Sequence, residues 1–303
     1  MMPSLKQLRY FATIAEFGKV AGAAKVLHIS QPALSAALAQ LEEIWDTQLF
    51  IRHKAQGVTL TADGKSLLRH SKQLLQQADS LEDYVRGLNK QVSGEIRIGC
   101  FATLGPLVIP RLLQQAREQY PELSILVTEA NLVKLDDYLL NGDLELALSY
   151  GLDKDKRIHS EALADCPPYV LLSATHPLGT FDSLSLKQLC KEPMVLLDLP
   201  HSGDYFLSLF NENGCQPEIA YRSRSFEMVR CMVAAGLGFS LLNQRPKIDV
   251  SYNGDALKAV PLRSGQAKPL QVVIRRSAEL QPSVRAEAVM ALLKQIVTTH
   301  QRE

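Results

Sequence analysis

The sequence predicts an α+β multidomain protein: a small helical domain with a two-stranded hairpin, a long connecting helix, and a larger α/β part. Three observations support this prediction. Residues 4–45 show helical periodicity interrupted by tight corners. Residues 62–89 carry a leucine at every seventh position, and strands alternate with helices from residue 95 onward. The 303 residues are enough for two or three domains with substantial cores.

The composition is that of an ordinary globular protein, with 46% hydrophobic residues, 21% charged residues and a net charge of +1. No apolar run is long enough to span a bilayer, and the N-terminus lacks the apolar core of a secretory signal. We therefore expect a cytoplasmic protein with no membrane partner. Residues 1–90 carry 11 Lys+Arg and 8 Asp+Glu, a mild basic excess that is compatible with nucleic-acid binding without indicating it.

The first three helices are marked by their caps and their apolar faces. A helix over residues 4–17 ends at Gly18, a second short pattern covers residues 21–27, and the chain breaks at residues 28–30. Ser30 can cap a third helix that carries Pro32 in its first turn and a stripe of buried leucines. Two helices joined in this way are typical of a helix-turn-helix, whose second helix enters a DNA major groove.

The exposed start of this third helix is the predicted DNA-reading surface. Residues there are placed to meet base edges, and a glutamine can bind adenine through two hydrogen bonds. An ordinary pair of packed helices is the alternative. The predicted DNA contacts in this helix are Ser30, Gln31, Pro32 and Ser35.

The pattern of residues 48–60 predicts two short strands joined by a polar turn, which together form a hairpin beside the helices. Three basic side chains, Arg52, His53 and Lys54, fall in the predicted tip. Such a tip suits phosphates or the minor groove next to a helix in the major groove. A charged tip that is simply solvated is the alternative.

A long helix over residues 62–89 carries Leu67, Leu74, Leu81 and Leu88, seven residues apart. Ser71, Ala78 and Val85 fill the positions four residues after the first three leucines. This repeat predicts a coiled-coil seam that pairs two copies of the chain. A single helix packed on its own domain is the alternative.

From Glu95 the chain alternates strands with helices, which predicts parallel sheets covered on both faces and arranged as two lobes. A strand near residues 270–276 is expected to return to the first lobe. Ligands bind beyond the carboxyl ends of such strands, so the turns there should line a cleft between the lobes. Helix starts and hydroxyls at these turns suit a small organic anion, a carboxylate above all. The predicted ligand contacts are Cys100, Phe101, Thr103, Leu132, His201, Ser202 and Gly203, with Phe226 and Phe239 as an apolar wall.

The sequence contains none of the nucleophile-elbow, zinc-protease, phosphate-loop or dinucleotide motifs, so we expect no enzyme activity, no metal and no cofactor. Five cysteines show no metal spacing and are expected as reduced thiols. Redox sensing through Cys215 and Cys231 is an alternative.

The segments AAKVLHISQPALSAALAQLEE, QLFIRH and VTLTADGKSLL together resemble the DNA-binding domain of the LysR-type transcriptional regulators. The resemblance implies a winged helix-turn-helix over residues 1–60, a linker helix over 61–91, and an effector domain of the periplasmic-binding-protein type over 92–303. Lobe I would comprise residues 92–161 and 267–303, and lobe II residues 162–266. It further implies an interrupted palindromic operator, a homodimer formed by the linker helix, a homotetramer, and contact with RNA polymerase. A free solute-binding protein is the alternative for residues 92–303.

Overall fold

The structure is a computed structural model, and it describes residues 2–53, 56–87, 92–152 and 155–300. No helix in these ranges has the length and apolar character needed to cross a membrane. The described chain forms a small N-terminal domain, one long helix and two α/β lobes.

The N-terminal domain folds around the ring of Phe11. Its elements are α1 Leu5–Phe17, α2 Val20–Val26, α3 Gln31–Ile44, β1 Phe50–His53 and β2 Gly57–Leu60. Ser4 begins α1 with a capping box, and Gly18 ends it at φ 62°, a conformation that glycine adopts without strain. Phe11 is fully buried and meets Phe50 and Trp45 edge-on, with ring centroids 5.5 and 6.2 Å away. This core fixes the hairpin beside the helices.

The long helix α4, Ala62–Gly87, has one face against its own subunit and another in solvent. Leu75 packs into the core of the N-terminal domain, and Ser71, one turn earlier, is also buried. Ser71 was predicted to lie in the pairing seam, and the structure instead turns it toward its own subunit. Leu74 and Leu81 are 47% and 66% exposed, while Leu88 lies outside the described residues. Leu67 packs partly against the core of the N-terminal domain, so the apolar surface that the described part of the repeat leaves uncovered within one chain consists of Leu74 and Leu81.

The α/β part alternates strands and helices as the sequence predicts. Its elements are β3 Gly94–Phe101, α5 Gly105–Gln119, β4 Leu123–Ala130, α6 Leu132–Leu140, β5 Leu146–Tyr150, β6 Ile158–Cys166, β7 Tyr169–Ser173, a 3₁₀ turn Pro177–Thr180, α7 Leu186–Leu189, β8 Pro193–Leu197, α8 Ser202–Glu212, β9 Glu218–Ser223, α9 Phe226–Ala234, β10 Ser240–Leu242, β11 Leu257–Pro261, β12 Leu270–Ser277 and α10 Val284–His300. Two separate apolar cores divide them into two lobes.

Lobe I is built on one five-stranded sheet in the order β4-β3-β5-β12-β6. The strand β3 runs parallel to β4 and β5, whereas β12 runs antiparallel to β5 and β6. The prediction of a parallel sheet is therefore wrong for β12, because this strand returns from lobe II and enters the sheet from the opposite end. The predicted lobe limit at residue 161 falls inside β6, which pairs with β12 along its whole length.

Lobe II combines a parallel pair, β8 and β9, with the antiparallel set β10-β7-β11. A bridge between Met194 and Phe239 joins the two sets. The bridge is parallel, so the prediction of parallel strands holds for β8 with β9 and for the bridge from β8 to Phe239, whereas β7 runs antiparallel to both β10 and β11. The carboxyl ends of β3, β5, β8 and β10 nevertheless meet between the lobes, where their following residues share one small cavity.

Candidate nucleic-acid interface and effector cleft

The helix α3 begins on the surface of the N-terminal domain. The hydroxyl of Ser30 accepts a hydrogen bond from the amide of Ala33 over 3.3 Å, as an N-cap does. The tight corner between α2 and α3 contains His28, whose backbone is left-handed with φ 52°. Gln31 and Pro32 are exposed on the first turn, whereas the stripe Leu34, Leu38 and Leu41 is buried beneath them. The predicted helix-turn-helix geometry is thus present, with its polar start facing outward.

A groove of about 370 Å³ separates the start of α3 from the hairpin. Gln31 and Ser35 line one side, while Arg52 and Lys19 contribute two cations. Lys19 stands at the N-cap of α2. Its place in this groove adds it to the candidate DNA contacts, although the sequence alone offers no reason to prefer phosphate over solvent for its side chain. Two cations beside exposed polar side chains suit a phosphate backbone and the neighbouring base edges.

The hairpin differs in one respect from the sequence prediction. Arg52 and His53 belong to β1, where they pair with Val58 and Gly57, and so they lie in the strand rather than in the tip. The Nε2 atom of His53 lies 2.8 Å from the hydroxyl of Thr59 across the hairpin. Strand β1 extends further than predicted because Arg52 and His53 continue the backbone pairing with β2. Lys54 lies outside the described residues.

Between the lobes lies a small cavity of about 20 Å³, roughly the space of one water molecule. Lobe I supplies Phe101, Thr103 and Tyr150, and lobe II supplies Ser202 and Phe226 among others. The hydroxyl of Thr103 lies 3.3 Å from the phenolic oxygen of Tyr150. Four predicted ligand contacts therefore meet here: Phe101, Thr103, Ser202 and Phe226. The cavity has room for little more than a water molecule, so a larger ligand requires the residues that line it to move apart.

The other predicted ligand contacts lie elsewhere. Cys100 is buried within β3, because that strand extends one residue further than predicted. Leu132 is the first residue of α6 and is fully buried in the lobe I core, and Phe239 is fully buried in the lobe II core. His201 is exposed, with φ 66°, and Gly203 is buried where an added Cβ would lie 2.7 Å from Asp198 Oδ1.

The start of α8 differs from the prediction of free amides aimed at the cleft. The amides of Ser202 and Gly203 donate to the carbonyl oxygen of Leu199 over 3.0 and 3.1 Å. Both amides are therefore already hydrogen-bonded within the preceding turn and are not free to donate to a ligand. Ser202 can offer its hydroxyl to the cavity, and the polar groups available to a ligand there are those of side chains.

Three residues that line the interlobe cavity were not among the predicted ligand contacts, although they too stand at carboxyl ends of strands. Tyr150 ends β5, and Asn243 and Gln244 follow β10, so all three stand at carboxyl ends of strands. Tyr150 is deeply buried, and this burial raises its pKa, so it stays a neutral hydroxyl and can donate a hydrogen bond. The residues at the ends of β5 and β10 therefore lay within reach of the same strand-end rule that pointed to the predicted contacts.

The cysteines are arranged differently from the redox alternative. Burial raises the pKa of Cys100 and of Cys166 to about 12 in each case, which disfavours the reactive thiolate. Cys215 contacts the thiol of Cys190, whereas the thiol of Cys231 lies 4.0 Å from Glu227 Oε1. The thiol beside Cys215 is therefore that of Cys190, and not that of Cys231 as in the redox alternative drawn from the sequence.

Comparison with known families agrees with both halves of the fold. The profile described as bacterial regulatory helix-turn-helix protein, lysR family, matches residues 5–65, and the LysR substrate binding domain matches residues 89–296. The chain belongs to the LysR family of transcriptional regulators. It is 35% identical to HinK, a LysR family transcriptional regulator from Pseudomonas aeruginosa, with a TM-score of 0.65 and coverage of 97% of this chain and 98% of that one.

Two further relatives span nearly the whole molecule. A full-length OxyR variant from Pseudomonas aeruginosa is 25% identical, with a TM-score of 0.79 and 98% coverage of both chains. The nitrogen assimilation regulatory protein nac of Klebsiella aerogenes is 29% identical over 302 residues, covering 97% of this chain and 95% of that protein. The predicted family, fold class and function as a LysR-type DNA-binding regulator are thereby confirmed. Regulators of this family bind DNA through the helix-turn-helix and form oligomers, and the family is one of transcription regulators rather than enzymes.

Proposed function

We propose that this LysR-type regulator binds an interrupted palindrome in DNA and responds to a small carboxylate held between the lobes of its effector domain. The observation that carries the proposal is the cavity in which the hydroxyls of Thr103, Tyr150 and Ser202 meet aromatic and aliphatic side chains from both lobes. A ligand that joins both lobes changes their relative position, and that movement would alter the geometry of the attached DNA-binding domains.

The DNA-binding half of the proposal rests on the groove between α3 and the hairpin. We assign base reading to Gln31 and Ser35, because both line this groove at the exposed start of α3. Lys19 and Arg52 are assigned to phosphates on either side. Ser30 acts mainly by capping the helix, and Pro32 by shaping its first turn.

The proposed assembly is a homodimer through α4 and, from the family, a homotetramer made of two dimers that contacts RNA polymerase at the promoter. Exposure of Leu74 and Leu81 within one chain supports pairing through α4. Paired recognition helices then face two half-sites, which is why the expected operator is an interrupted palindrome.

The expected effector has an anionic end and an apolar body. Thr103 and Ser202 supply hydroxyl donors, and Tyr150 supplies a third. A hydrogen bond to a charged acceptor contributes about 1.5–3 kcal/mol. Phe101, Phe206 and Phe226 provide the apolar wall, whose contribution grows by about 25 cal/mol per Å² of apolar surface covered.

The test is a thermal-shift screen of small carboxylates on the full chain, because a ligand that binds the folded state raises the melting temperature. For a carboxylate that does so, Thr103→Ala should weaken binding about tenfold or more while DNA affinity without ligand stays unchanged. A matched control is Thr128→Ala, an exposed threonine in the edge strand β4. Unchanged titrations for Thr103→Ala would remove this hydroxyl from the site, and a screen without any stabilising carboxylate would contradict the ligand class.

A cysteine-based redox response is the second candidate, because Cys190 and Cys215 are neighbouring thiols. Against it, burial raises the pKa of Cys190 to about 12, which disfavours the reactive thiolate. Oxidation by a hydroperoxide would join the two sulfur atoms in a disulfide; the O–O bond of the hydroperoxide breaks, and the two thiol hydrogens leave in the alcohol and the water that form. The double variant Cys190→Ser with Cys215→Ser separates the two ideas. If it folds and binds DNA but no longer responds to its inducing condition, the carboxylate proposal is wrong.

A further inference from the structure

The carboxylate of Glu42 joins α3 to the start of the hairpin. Glu42 lies in the last turn of α3, away from the exposed first turn that carries Gln31. Its Oε1 atom accepts a hydrogen bond of 2.8 Å from the amide of Leu49 and one of 3.3 Å from the amide of Phe50. Leu49 and Phe50 are buried, and a buried amide without a partner costs free energy. One side chain of α3 therefore satisfies two buried amides where β1 begins.

Apart from these hydrogen bonds, the position of Glu42 is unfavourable for a negative charge. The C-terminal end of a helix carries a partial negative charge that repels a carboxylate, and Glu43 beside it adds a second one. A carboxylate in a DNA-binding domain also repels the phosphates of DNA. Bonds from two amides offset this repulsion, because a charged acceptor binds an N–H group more strongly than a neutral one. The hairpin that it holds therefore explains a carboxylate at this position.

Thr61 holds the same segment from its other side. Its hydroxyl donates to the carbonyl oxygen of Gln48 over 2.8 Å, and its amide donates to the carbonyl oxygen of Leu49 over 3.0 Å. Thr61 precedes α4, where its hydroxyl accepts a hydrogen bond of 2.9 Å from the amide of Gly64. Residues 48–50 are therefore fixed between two helices, by carbonyl groups toward α4 and by amides toward α3.

The position of this segment determines where the cation of Arg52 lies. Arg52 follows Phe50 by two residues in β1, a distance of about 7 Å along an antiparallel strand. Arg52 lines the groove between α3 and the hairpin, and Gln31 of α3 lines it as well. Because Glu42 belongs to the same helix as Gln31, its bonds to the start of β1 connect the two sides of this groove.

We propose that Glu42 is a positioning residue for DNA binding, whose carboxylate fixes the distance between the recognition helix and Arg52. Without this carboxylate, the start of β1 is free to move away from α3, and the cation meets its phosphate less often. Glu42 acts through the hairpin, since its own charge can only weaken DNA binding. The proposal rests on the assignment of Arg52 to a phosphate, which is part of the proposed function.

The main variant is Glu42→Ala, measured in the full-length protein by fluorescence anisotropy over a range of salt concentrations. The DNA is a duplex that the unsubstituted protein selects from a random pool. We expect binding at fixed salt to weaken about fivefold or more, and the slope of log affinity against log salt to fall by about one, as for one lost phosphate contact. Glu43→Ala is the matched control, because it removes the same charge from an exposed position of the same turn. It should leave the slope unchanged and should not weaken binding.

Two further substitutions separate the hydrogen bonds of Glu42 from its charge. Glu42→Gln removes the charge but keeps a side-chain oxygen at the same reach, so it should bind DNA nearly as well as the unsubstituted protein. Glu42→Asp keeps the charge but is one methylene shorter, so it should behave like Glu42→Ala. Equal binding by these two variants would overturn the proposal, because the affinity would then not depend on the reach of the acceptor.

The substitution Arg52→Gln tests the route through the hairpin. Alone it should lower the salt slope by about one, and adding Glu42→Ala should lower the slope no further. A further drop in the double variant would mean that Glu42 acts by another route, and the proposal would be wrong. An unchanged slope for Arg52→Gln would contradict the phosphate assignment on which the proposal rests. That result is distinct from a lowered slope for Arg52→Gln with an unaffected Glu42→Ala, which overturns the role of Glu42 alone.

Leu8→Ala controls for lost stability, because Leu8 is buried in the core of the N-terminal domain and its truncation leaves Glu42 in place. It should lower the stability in urea without changing the salt slope. If it lowers the slope as Glu42→Ala does, the effect of Glu42 is one of stability alone, and the proposal fails. If Glu42→Ala does not fold by circular dichroism, Glu42→Asp takes its place, and failure of both variants to fold overturns the proposal as well.

Discussion

The backbone amide of Val58, in the hairpin, donates a hydrogen bond of 2.8 Å to the carbonyl oxygen of Gly18 at the end of α1. This bond joins the hairpin to the corner from which α2 begins, and so it forms one side of the groove that holds Lys19 and Arg52. The orientation of the wing relative to the recognition helix therefore depends on a contact between two backbone segments.

Gly57→Ala should disrupt this contact. A Cβ at Gly57 would lie 2.2 Å from the Gly18 oxygen, at a backbone φ of 101° that side chains rarely adopt. We expect a loss of about 1–3 kcal/mol in the stability of the N-terminal domain and weaker DNA binding. Urea unfolding followed by the fluorescence of Trp45, the one tryptophan of the chain, measures this domain selectively.

The matched control for that substitution is Gly18→Ala, which has a similar left-handed φ of 62° but an added Cβ 3.8 Å from its nearest neighbour. It should cost only the backbone strain, about 1 kcal/mol. Equal losses for the two variants would mean that the close approach of the hairpin contributes nothing.

Gln31→Ala should weaken binding to a selected palindromic site far more than binding to random DNA. Gln31 is exposed at the first position of α3, and a bidentate contact with adenine contributes about 1–3 kcal/mol of discrimination. Fluorescence anisotropy at fixed salt measures both affinities. Gln40→Ala, at an exposed position near the other end of the same helix, is the control and should change neither. Equal losses on the two DNAs would show that Gln31 contacts only the backbone.

Leu74→Asp should break the pairing of chains. Leu74 is 47% exposed in one chain, so the substitution leaves the subunit fold intact, but in a paired α4 it would bury a charge at the interface. Analytical ultracentrifugation is expected to show monomers. Gln77→Asp adds a charge at an exposed position one turn away and should leave the oligomer unchanged. An unaltered oligomer for Leu74→Asp would place the pairing surface elsewhere.

Cys100 and Cys166 should resist alkylation by iodoacetamide at pH 8 in the folded protein, because burial raises the pKa of each to about 12. Cys231, which is half-buried on α9, should react before them, as peptide mass spectrometry can measure. Since the pKa of each thiol lies above its ordinary value of 9.0, the contribution of these thiols to stability is present below pH 9 and is lost as the pH rises toward 12. Rapid labelling of Cys166 in the folded state would contradict this, and labelling in urea gives the reference rate.

Local sequence alone was enough to predict the N-terminal helices and their caps. Ser30 and Gly18 act over a few residues, and their hydrogen bonds lie within their own turns. The leucine repeat of α4 and the alternation of strands and helices are likewise patterns along the chain, and the structure contains both. The family resemblance drew on these same local motifs.

Tertiary structure decided which predicted residues share a site. The spacing along the chain could not show that Leu132 and Phe239 are held in two different cores, or that Tyr150 reaches Thr103 across 47 positions. It also could not show that β12 enters the sheet of lobe I in the antiparallel direction, since that depends on where the returning chain meets the sheet. Local patterns determine elements because their hydrogen bonds are short-range, whereas cavities arise from the packing of segments that are distant in sequence.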